Sequence, residues 1–196
     1  MTRRTWLNRG FQAAASLLLL RGAQAAPTTA VVSPLVVTVD GKTLRPLDNT
    51  RSRAVVLLFV GRECPISNRY APEVIRICHN YAAKGVAFYV VYAEPGLPSI
   101  VARKHALDFG FPCPALLDGK QQLAKLAGAT VTPEVAVFTG GKRRYLGRID
   151  DWYAALGQAR PAATTHDLCD TLNALLAGKP VPHPQTRAIG CYLPEP

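Results

Sequence analysis

Two kinds of apolar pattern alternate along the chain and predict alternating strands and helices. Unbroken apolar runs at residues 54–60 and 86–92 are typical of strands that are buried on both faces of a sheet. Between them, from residue 65 to residue 83, apolar residues recur every three or four positions, as on one face of a helix. The predicted buried face of that helix consists of Ala71, Val74, Ile75, Cys78 and Tyr81.

The alternation extends over the rest of the chain. Further helices are predicted at residues 98–109, 120–127 and 166–176. Further strands are predicted at residues 35–39, 115–117, 134–139 and 143–149, the last two joined by a Gly140-Gly141 turn. A long loop is predicted at residues 150–165 and a proline-rich extended tail at residues 179–196. This order predicts an α/β fold with a central mixed β-sheet flanked by helices on both faces.

The first 25 residues have the layout of a secretory signal peptide. A basic stretch that includes Arg3 and Arg4 precedes a short apolar stretch, and Ala23-Gln24-Ala25 offers a cleavage site with small residues. About ten apolar residues are too few to cross ~30 Å of hydrocarbon, so no stable membrane span is expected once the signal is cleaved. The sequence therefore predicts an exported protein, periplasmic or secreted, with the Sec and twin-arginine routes both open.

Removal of this segment changes the charge and limits the function classes. Residues 1–25 hold four arginines and no acid, so the net charge falls from +10 to +6 without them. The remaining basic residues are scattered and do not form a stripe with interleaved aromatic residues, which argues against nucleic acid as a partner. The rest of the chain is interpreted as an extended segment (26–52), one domain with its own core (53–178) and the tail (179–196).

Five cysteines are present, and Cys64 is the principal candidate for reactivity. No two of them have Cys-x-x-Cys spacing, and the histidines are not four residues apart, so we expect no metal site and no cofactor. A buried strand delivers Cys64 to the first turn of a helix, where Pro65 takes the first position and free N–H groups favour the thiolate. Arg62 also favours the thiolate, whereas Glu63 opposes it. Ser67 stands where a dithiol redox helix would have its second cysteine.

Two segments of the chain resemble the thioredoxin superfamily. Residues 64–72 (CPISNRYAP) are similar to the thioredoxin active-site helix, with a proline eight residues after the cysteine. Residues 128–141 are similar to the second thioredoxin signature, in which a proline begins a strand and a glycine turn follows. The passage from residue 111 to residue 128 resembles redoxins of the alkyl-hydroperoxide-reductase/thiol-specific-antioxidant (AhpC/TSA) type. The resemblance covers roughly residues 35–178 and implies a thioredoxin-like fold with a redoxin-type insertion at residues 94–117.

The resemblance also implies a place for the substrate. In thioredoxins the proline of the second signature is cis, and its loop faces the active cysteine. By resemblance, the Thr132-Pro133 peptide bond is cis and borders Cys64. The backbone of Val131 and Thr132 would then be free to pair with an extended peptide.

Departures from the family patterns restrict the chemistry. Gly61 stands where peroxiredoxins have a threonine, and Leu58 stands where thioredoxins bury an aspartate. Asn68 takes the place of the second cysteine of the copper-delivering relatives. Ser67 either hydrogen-bonds the Cys64 thiolate or only caps the helix at the surface. The pattern that remains is a redoxin with one cysteine at the start of its helix.

The partner of Cys64 is left open by the sequence. Cys191 in the tail is the first candidate for a resolving cysteine, and a structural disulfide or a free thiol are its alternative roles. Cys113 is the second candidate, because the redoxin insertion lies near the active site in related folds. Cys78 and Cys169 are interpreted as core residues or as one structural disulfide.

These patterns predict an exported thiol–disulfide oxidoreductase of thioredoxin fold. Cys64 attacks a disulfide, Thr132-Pro133 orients the substrate, and Cys191 or an outside thiol releases the product; the expected partners are protein or small-molecule thiols and disulfides. One alternative is a hydroperoxide reductase of the AhpC/TSA type, with hydroperoxides as substrates. The other is a non-catalytic binding module in which Cys64 and Cys191 form a lasting disulfide or hold Cu(I).

Overall fold

A computed structural model describes residues 32–195, and the predicted signal peptide lies outside the described residues. The strands are β1 (Val36–Thr38), β2 (Thr43–Leu44), β3 (Ala54–Phe59), β4 (Val86–Tyr92), β5 (Ala115–Leu117), β6 (Val131–Thr132), β7 (Glu134–Thr139), β8 (Lys142–Gly147), β9 (Tyr153–Ala155), β10 (Gln158–Ala159) and β11 (Cys191–Tyr192). The helices are α1 (Pro65–Arg69), α2 (Ala71–Ala82), α3 (Ser99–Asp108), α4 (Gln122–Ala127) and α5 (Asp167–Leu176), with a short 3-10 helix at Pro46–Asp48.

The predicted central mixed sheet with helices on both faces is confirmed. Seven strands form it in the order β2-β1-β5-β4-β3-β7-β8, and β3 pairs parallel with β4 and antiparallel with β7. Successive side chains of a strand point to opposite faces, so a strand covered on both faces must be apolar throughout. Leu58 of β3 shares a core with Ile77 of α2 and Leu172 of α5, whereas Leu57 packs in a second core with Leu123 of α4.

The helix predicted at residues 65–83 is divided in two. α1 ends at Arg69 and α2 begins at Ala71, because Pro72 has no N–H to donate to the preceding turn. The predicted buried face of α2 is corrected at one position, since Ile77 is buried and Ile75 is only half-buried. Ile77 lies between Val74 and Tyr81 on the buried stripe, whereas Ile75 lies at its edge.

Two segments predicted to be irregular contain strands. The predicted loop at residues 150–165 contains the β9–β10 hairpin, and the tail contains β11, which pairs antiparallel with β6. Strands β4, β5 and β7 have the predicted bounds. None of the helices described between residues 32 and 195 is long and apolar enough to cross a membrane.

Candidate functional site

Cys64 lies at the junction of β3 and α1, at the helix start that the sequence predicts. It is the residue that caps α1, and Pro65 takes the first helical position, where an N–H would have no partner in the helix. The backbone N–H of Ser67 donates to the sulfur of Cys64 over 3.4 Å. The side chain is buried, with 3% of the residue exposed.

The loop that precedes β7 lies directly against this cysteine. The Thr132-Pro133 peptide bond is cis, as predicted, and the Cys64 thiol donates to the carbonyl oxygen of Thr132 over 3.1 Å. A Cβ atom added at Gly61 would lie 2.6 Å from the hydroxyl oxygen of Thr132 and 3.0 Å from the Cβ atom of Cys64. The absence of a side chain at Gly61 therefore leaves the space that the Thr132 side chain occupies.

The tail strand β11 occupies the backbone edge that the resemblance implies for a substrate. Cys191 lies opposite Thr132, and Tyr192 lies opposite Val131, in an antiparallel pair. This edge was expected to be free for an extended peptide, and that expectation is corrected by the position of the tail. The tail strand therefore lies where the chain of a bound substrate is expected, with Cys191 facing the site of Cys64.

Close packing and hydrogen bonds hold the tail in this position. A Cβ atom at Gly190 would overlap the carbonyl oxygen at the end of β6, so only glycine allows this approach. The backbone N–H of Leu193 donates to the carbonyl oxygen of Thr130 over 2.9 Å. The side-chain amide of Gln121 donates to the carbonyl oxygen of Pro194 over 2.5 Å.

The thiols of Cys64 and Cys191 interact and have unlike acidities. Burial opposes ionisation of Cys64, but contacts with the Cys191 thiol, the backbone N–H groups of Ser67 and Cys191, and Thr132 outweigh it, so the pKa of Cys64 lies below its ordinary value. Burial and the neighbouring Cys64 thiolate raise the pKa of Cys191 to about 11. Disulfide exchange begins with attack by a thiolate, so the lower pKa makes Cys64 the better nucleophile of the two. Both side chains line a cavity of about 280 Å³.

The side chains of Ser67 and Arg62 have partners other than the Cys64 sulfur. Ser67 is 2% exposed, and its hydroxyl accepts from the backbone N–H of Gly61 over 3.2 Å. It is therefore neither a surface cap nor the predicted side-chain donor to the thiolate. Arg62 forms ion pairs with Glu63 at 2.7 Å and with Glu94 at 3.6 Å, which compensate its charge.

A buried hydrogen-bond chain, which the sequence did not indicate, braces the loop before Cys64. The side-chain amide of Asn68 donates to the carbonyl oxygen of Arg62 over 3.0 Å, and its oxygen lies 3.0 Å from Nε2 of His105. The Nδ1 atom of His105 lies 2.7 Å from the hydroxyl of Tyr92. Burial and the charge of Arg62 lower the pKa of His105, so the ring stays neutral and the chain of hydrogen bonds persists at neutral pH.

Glu134 braces the other side of the site. It follows the cis proline and is only 6% exposed, and its carboxylate accepts from the backbone N–H groups of Thr130 at 2.8 Å and Val131 at 3.4 Å. Burial raises the pKa of Glu134. The sequence contained one signal for Glu134: it is a single acidic residue at the start of an otherwise apolar strand.

Of the three remaining cysteines, Cys78 and Cys169 pack in or against the core, as the first of their two interpretations predicts. All five cysteines are free thiols, so the alternative, a Cys78–Cys169 disulfide, is not formed. Cys113 contacts Cys78 and lines another cavity with it, so its predicted role as second candidate partner of Cys64 does not fit its position. Cys169 instead lies beside Tyr81, whose hydroxyl donates to the Cys169 carbonyl oxygen over 3.3 Å.

Among residues 32–195, one group of side chains has metal-ligand geometry. The potential metal-ligand atoms of Glu73, Asp150 and His166 lie within 4.8 Å of one another. Both carboxylate oxygens of Glu73 already accept from Arg76, at 2.5 and 2.7 Å, and Asp150 accepts from the Tyr70 hydroxyl at 2.5 Å. Because these oxygens have protein donors, the group is better explained as a polar contact between α2, the β8–β9 loop and His166, which precedes α5.

No protein-family model and no curated protein matches the chain, but solved structures do. An uncharacterized conserved protein from Geobacillus kaustophilus is 29% identical, with a TM-score of 0.71 over 84% of this chain and 90% of that one. The hypothetical protein SMc02350 from Sinorhizobium meliloti 1021 is 23% identical, with a TM-score of 0.71 over 84% of this chain and 92% of that one. A secreted Mycobacterium tuberculosis disulfide oxidoreductase homologous to E. coli DsbE is 14% identical, with a TM-score of 0.51 over 74% of this chain and 96% of that one. The chain therefore has a thioredoxin-like fold.

Proposed function

We propose that the chain is an exported thiol–disulfide oxidoreductase in which Cys64 is the attacking thiolate and Cys191 the resolving thiol. The observation that carries the proposal is that Cys64 and Cys191 line one cavity and both lie against Thr132, Cys191 by strand pairing and the Cys64 thiol by a hydrogen bond to the Thr132 carbonyl oxygen. Export is supported by the signal-like first 25 residues. The thioredoxin-like fold, shared with a secreted disulfide oxidoreductase, agrees with both parts of the proposal.

The reaction consists of two exchange steps. The Cys64 thiolate attacks one sulfur of a substrate disulfide, forms a mixed disulfide with it and releases the other substrate sulfur as a thiolate, which takes a proton from water. Cys191 then loses its proton and attacks the Cys64 sulfur. The second substrate thiolate is released, and the chain is left with a Cys64–Cys191 disulfide. The substrate disulfide gains two electrons, and the chain loses two.

The position of the tail limits what reaches Cys64 first. A small disulfide is of a size to enter the cavity of about 280 Å³ beside both thiols. An extended polypeptide would pair with Val131 and Thr132, ahead of Pro133, only after displacing the tail strand from β6. In this proposal the tail serves both as the carrier of the resolving thiol and as the occupant that a polypeptide substrate replaces.

Three variants of the reduced chain test the proposal with a peptide disulfide as substrate. Cys64→Ser should abolish exchange, and Cys191→Ser should accumulate a mixed disulfide between the peptide and Cys64. Cys169→Ser is the matched control, because Cys169 is also partly buried but contacts neither Cys64 nor Cys191. It should exchange at the wild-type rate. Exchange by Cys64→Ser at the wild-type rate would exclude the mechanism.

A comparison of two substrates distinguishes exchange from peroxide reduction. Gly61 provides no hydroxyl, and the Thr132 hydroxyl that fills its space donates to the carbonyl oxygen of Cys191 over 3.5 Å. We therefore expect Cys64 to react with the peptide disulfide faster than with an equal micromolar concentration of hydrogen peroxide. Faster formation of a sulfenic acid at Cys64 would instead identify a hydroperoxide reductase.

A further inference from the structure

A second pair of thiols, formed by Cys78 and Cys113, lies outside the Cys64–Cys191 site. Cys78 is on the buried face of α2, with 4% of the residue exposed. Cys113 stands between Pro112 and Pro114, immediately before β5. The two side chains line one cavity of about 310 Å³ that also contacts Phe88, close enough for each thiol to shift the pKa of the other. Two cysteines 35 positions apart in the chain are thus brought to one opening in the surface.

The environment makes the two thiols unequal in reactivity. The contact with Cys78 lowers the pKa of Cys113 against the opposing effect of burial, and the N–H of Val90 contributes further. The Cys113 thiolate in turn raises the pKa of Cys78. Cys113 is therefore the nucleophile of the pair, and Cys78 is the protonated neighbour that can close a disulfide after it.

The surroundings of this pair favour small disulfides over polypeptides. β5 pairs with β4 on one edge and β1 on the other, so it offers no free backbone edge beside Cys113 to an extended chain. The cavity is lined mainly by apolar residues, including Val86 and Phe88. A small disulfide needs no backbone pairing and can reach the sulfur through this opening.

We propose that Cys78 and Cys113 form a second redox-active dithiol whose oxidants are small-molecule disulfides. The Cys113 thiolate attacks one sulfur of the small disulfide, forms a mixed disulfide and releases the other half as a thiolate, which is then protonated. Cys78 loses its proton and attacks the Cys113 sulfur, which releases the second half as a thiol. The small disulfide gains two electrons, and a Cys78–Cys113 disulfide joins α2 to the start of β5.

The test uses the full-length chain with Cys64→Ser and Cys191→Ser, so that its outcome does not depend on the proposed function. The reduced protein is incubated with bis(2-hydroxyethyl) disulfide, and its disulfides are mapped by mass spectrometry of peptides obtained without reduction. We expect loss of two of the three remaining thiols and a peptide pair joined through Cys78 and Cys113. Cys169 should stay a free thiol, and reduction should restore all three.

A further variant and a stability measurement distinguish a redox-active pair from two cysteines that only lie side by side. In the same background, Cys78→Ala should stop the reaction at a mixed disulfide on Cys113. The chain with Cys64→Ser and Cys191→Ser, oxidised in the same way, should unfold at a higher temperature than its reduced form, because the Cys78–Cys113 bond restricts the unfolded chain. The proposal is overturned if folded protein keeps all three thiols, if Cys78 is linked to Cys169, or if only intermolecular disulfides form.

Discussion

Gly190→Ala tests whether docking of the tail places Cys191 against Cys64. The added methyl group would overlap the carbonyl oxygen of Thr132, so the tail must move away from β6. Movement of the tail weakens the β11–β6 pair and the hydrogen bond from the backbone N–H of Leu193 to the carbonyl oxygen of Thr130. With about 1 kcal/mol for each of two or three backbone hydrogen bonds, docking weakens by about 2–3 kcal/mol.

This loss can be measured as a change in the stability of the Cys64–Cys191 disulfide. The tail is docked in the reduced chain too, but the reduced chain can release it and so relieve the overlap, whereas a disulfide holds it in place; weaker docking therefore destabilises the oxidised form by up to the full loss. A loss of 2–3 kcal/mol corresponds to a roughly 30- to 150-fold smaller oxidation equilibrium constant, or a reduction potential about 40–65 mV less negative. The assay is equilibration of each protein in glutathione buffers of graded composition, followed by acid quench and separation of the two forms.

Gly119→Ala is the matched control for this experiment. Gly119 also lacks a positive φ, and its added methyl group would meet its nearest neighbour at 3.6 Å, an ordinary contact. The control should keep the wild-type potential. An unchanged potential in Gly190→Ala would refute the reasoning that close packing at this glycine positions the tail.

Two further predictions concern the pH dependence of reactivity and of stability. Cys191→Ala removes a contact that lowers the pKa of Cys64, so the inflection in the rate of Cys64 alkylation by iodoacetamide should move to higher pH; an inflection at the same or lower pH would contradict this. The buried carboxylate of Asp151 accepts from Thr164 and Thr165, and these hydrogen bonds outweigh burial and depress its pKa. Asp151→Asn should therefore lower the free energy of unfolding by about 2 kcal/mol at neutral pH. Because the folded pKa is below the unfolded value of about 3.9, the difference from wild type should shrink as urea unfolding is repeated below pH 4, and a constant difference would count against it.

The central strands of the main sheet could be predicted from the sequence because they are long and covered on both faces. Residues 86–92 form an apolar run and residues 134–139 alternate before a glycine turn, and the structure gives β4 and β7 these bounds. The position of Cys64 followed from the same reasoning, since β3 runs into a proline-initiated helix. Both results depend on local pattern alone.

The contacts of the tail could not be predicted in the same way. β6 and β11 contain two residues each, which is too short for a period of apolar positions to be seen. Their pairing depends on the absence of a side chain at Gly190, which matters only after the fold has brought the tail to β6. The sequence indicated Cys191 as a candidate because an irregular tail has little packing reason to contain cysteine, but it did not indicate a strand.

The remaining cysteine contacts were missed for a related reason. Cys78 and Cys113 are separated by the whole of β4 and α3, and their contact is set by how β5 returns to the sheet. The prediction that Cys113 lies near Cys64 was wrong, because Cys113 lines a cavity with Cys78 instead. Likewise, the hairpin at β9–β10 has few apolar positions and is held instead by the hydrogen bonds of Asp151 to Thr164 and Thr165.

The central claim is that Cys64 and Cys191 exchange electrons with a substrate as one pair. The most direct measurement mixes the reduced wild-type chain with one equivalent of a peptide disulfide, quenches the reaction with acid after one turnover and maps the disulfides by mass spectrometry. We expect a Cys64–Cys191 disulfide and two equivalents of free peptide thiol. Release of the peptide thiols with Cys64 and Cys191 both still reduced, or with Cys64 joined to another cysteine, would contradict it.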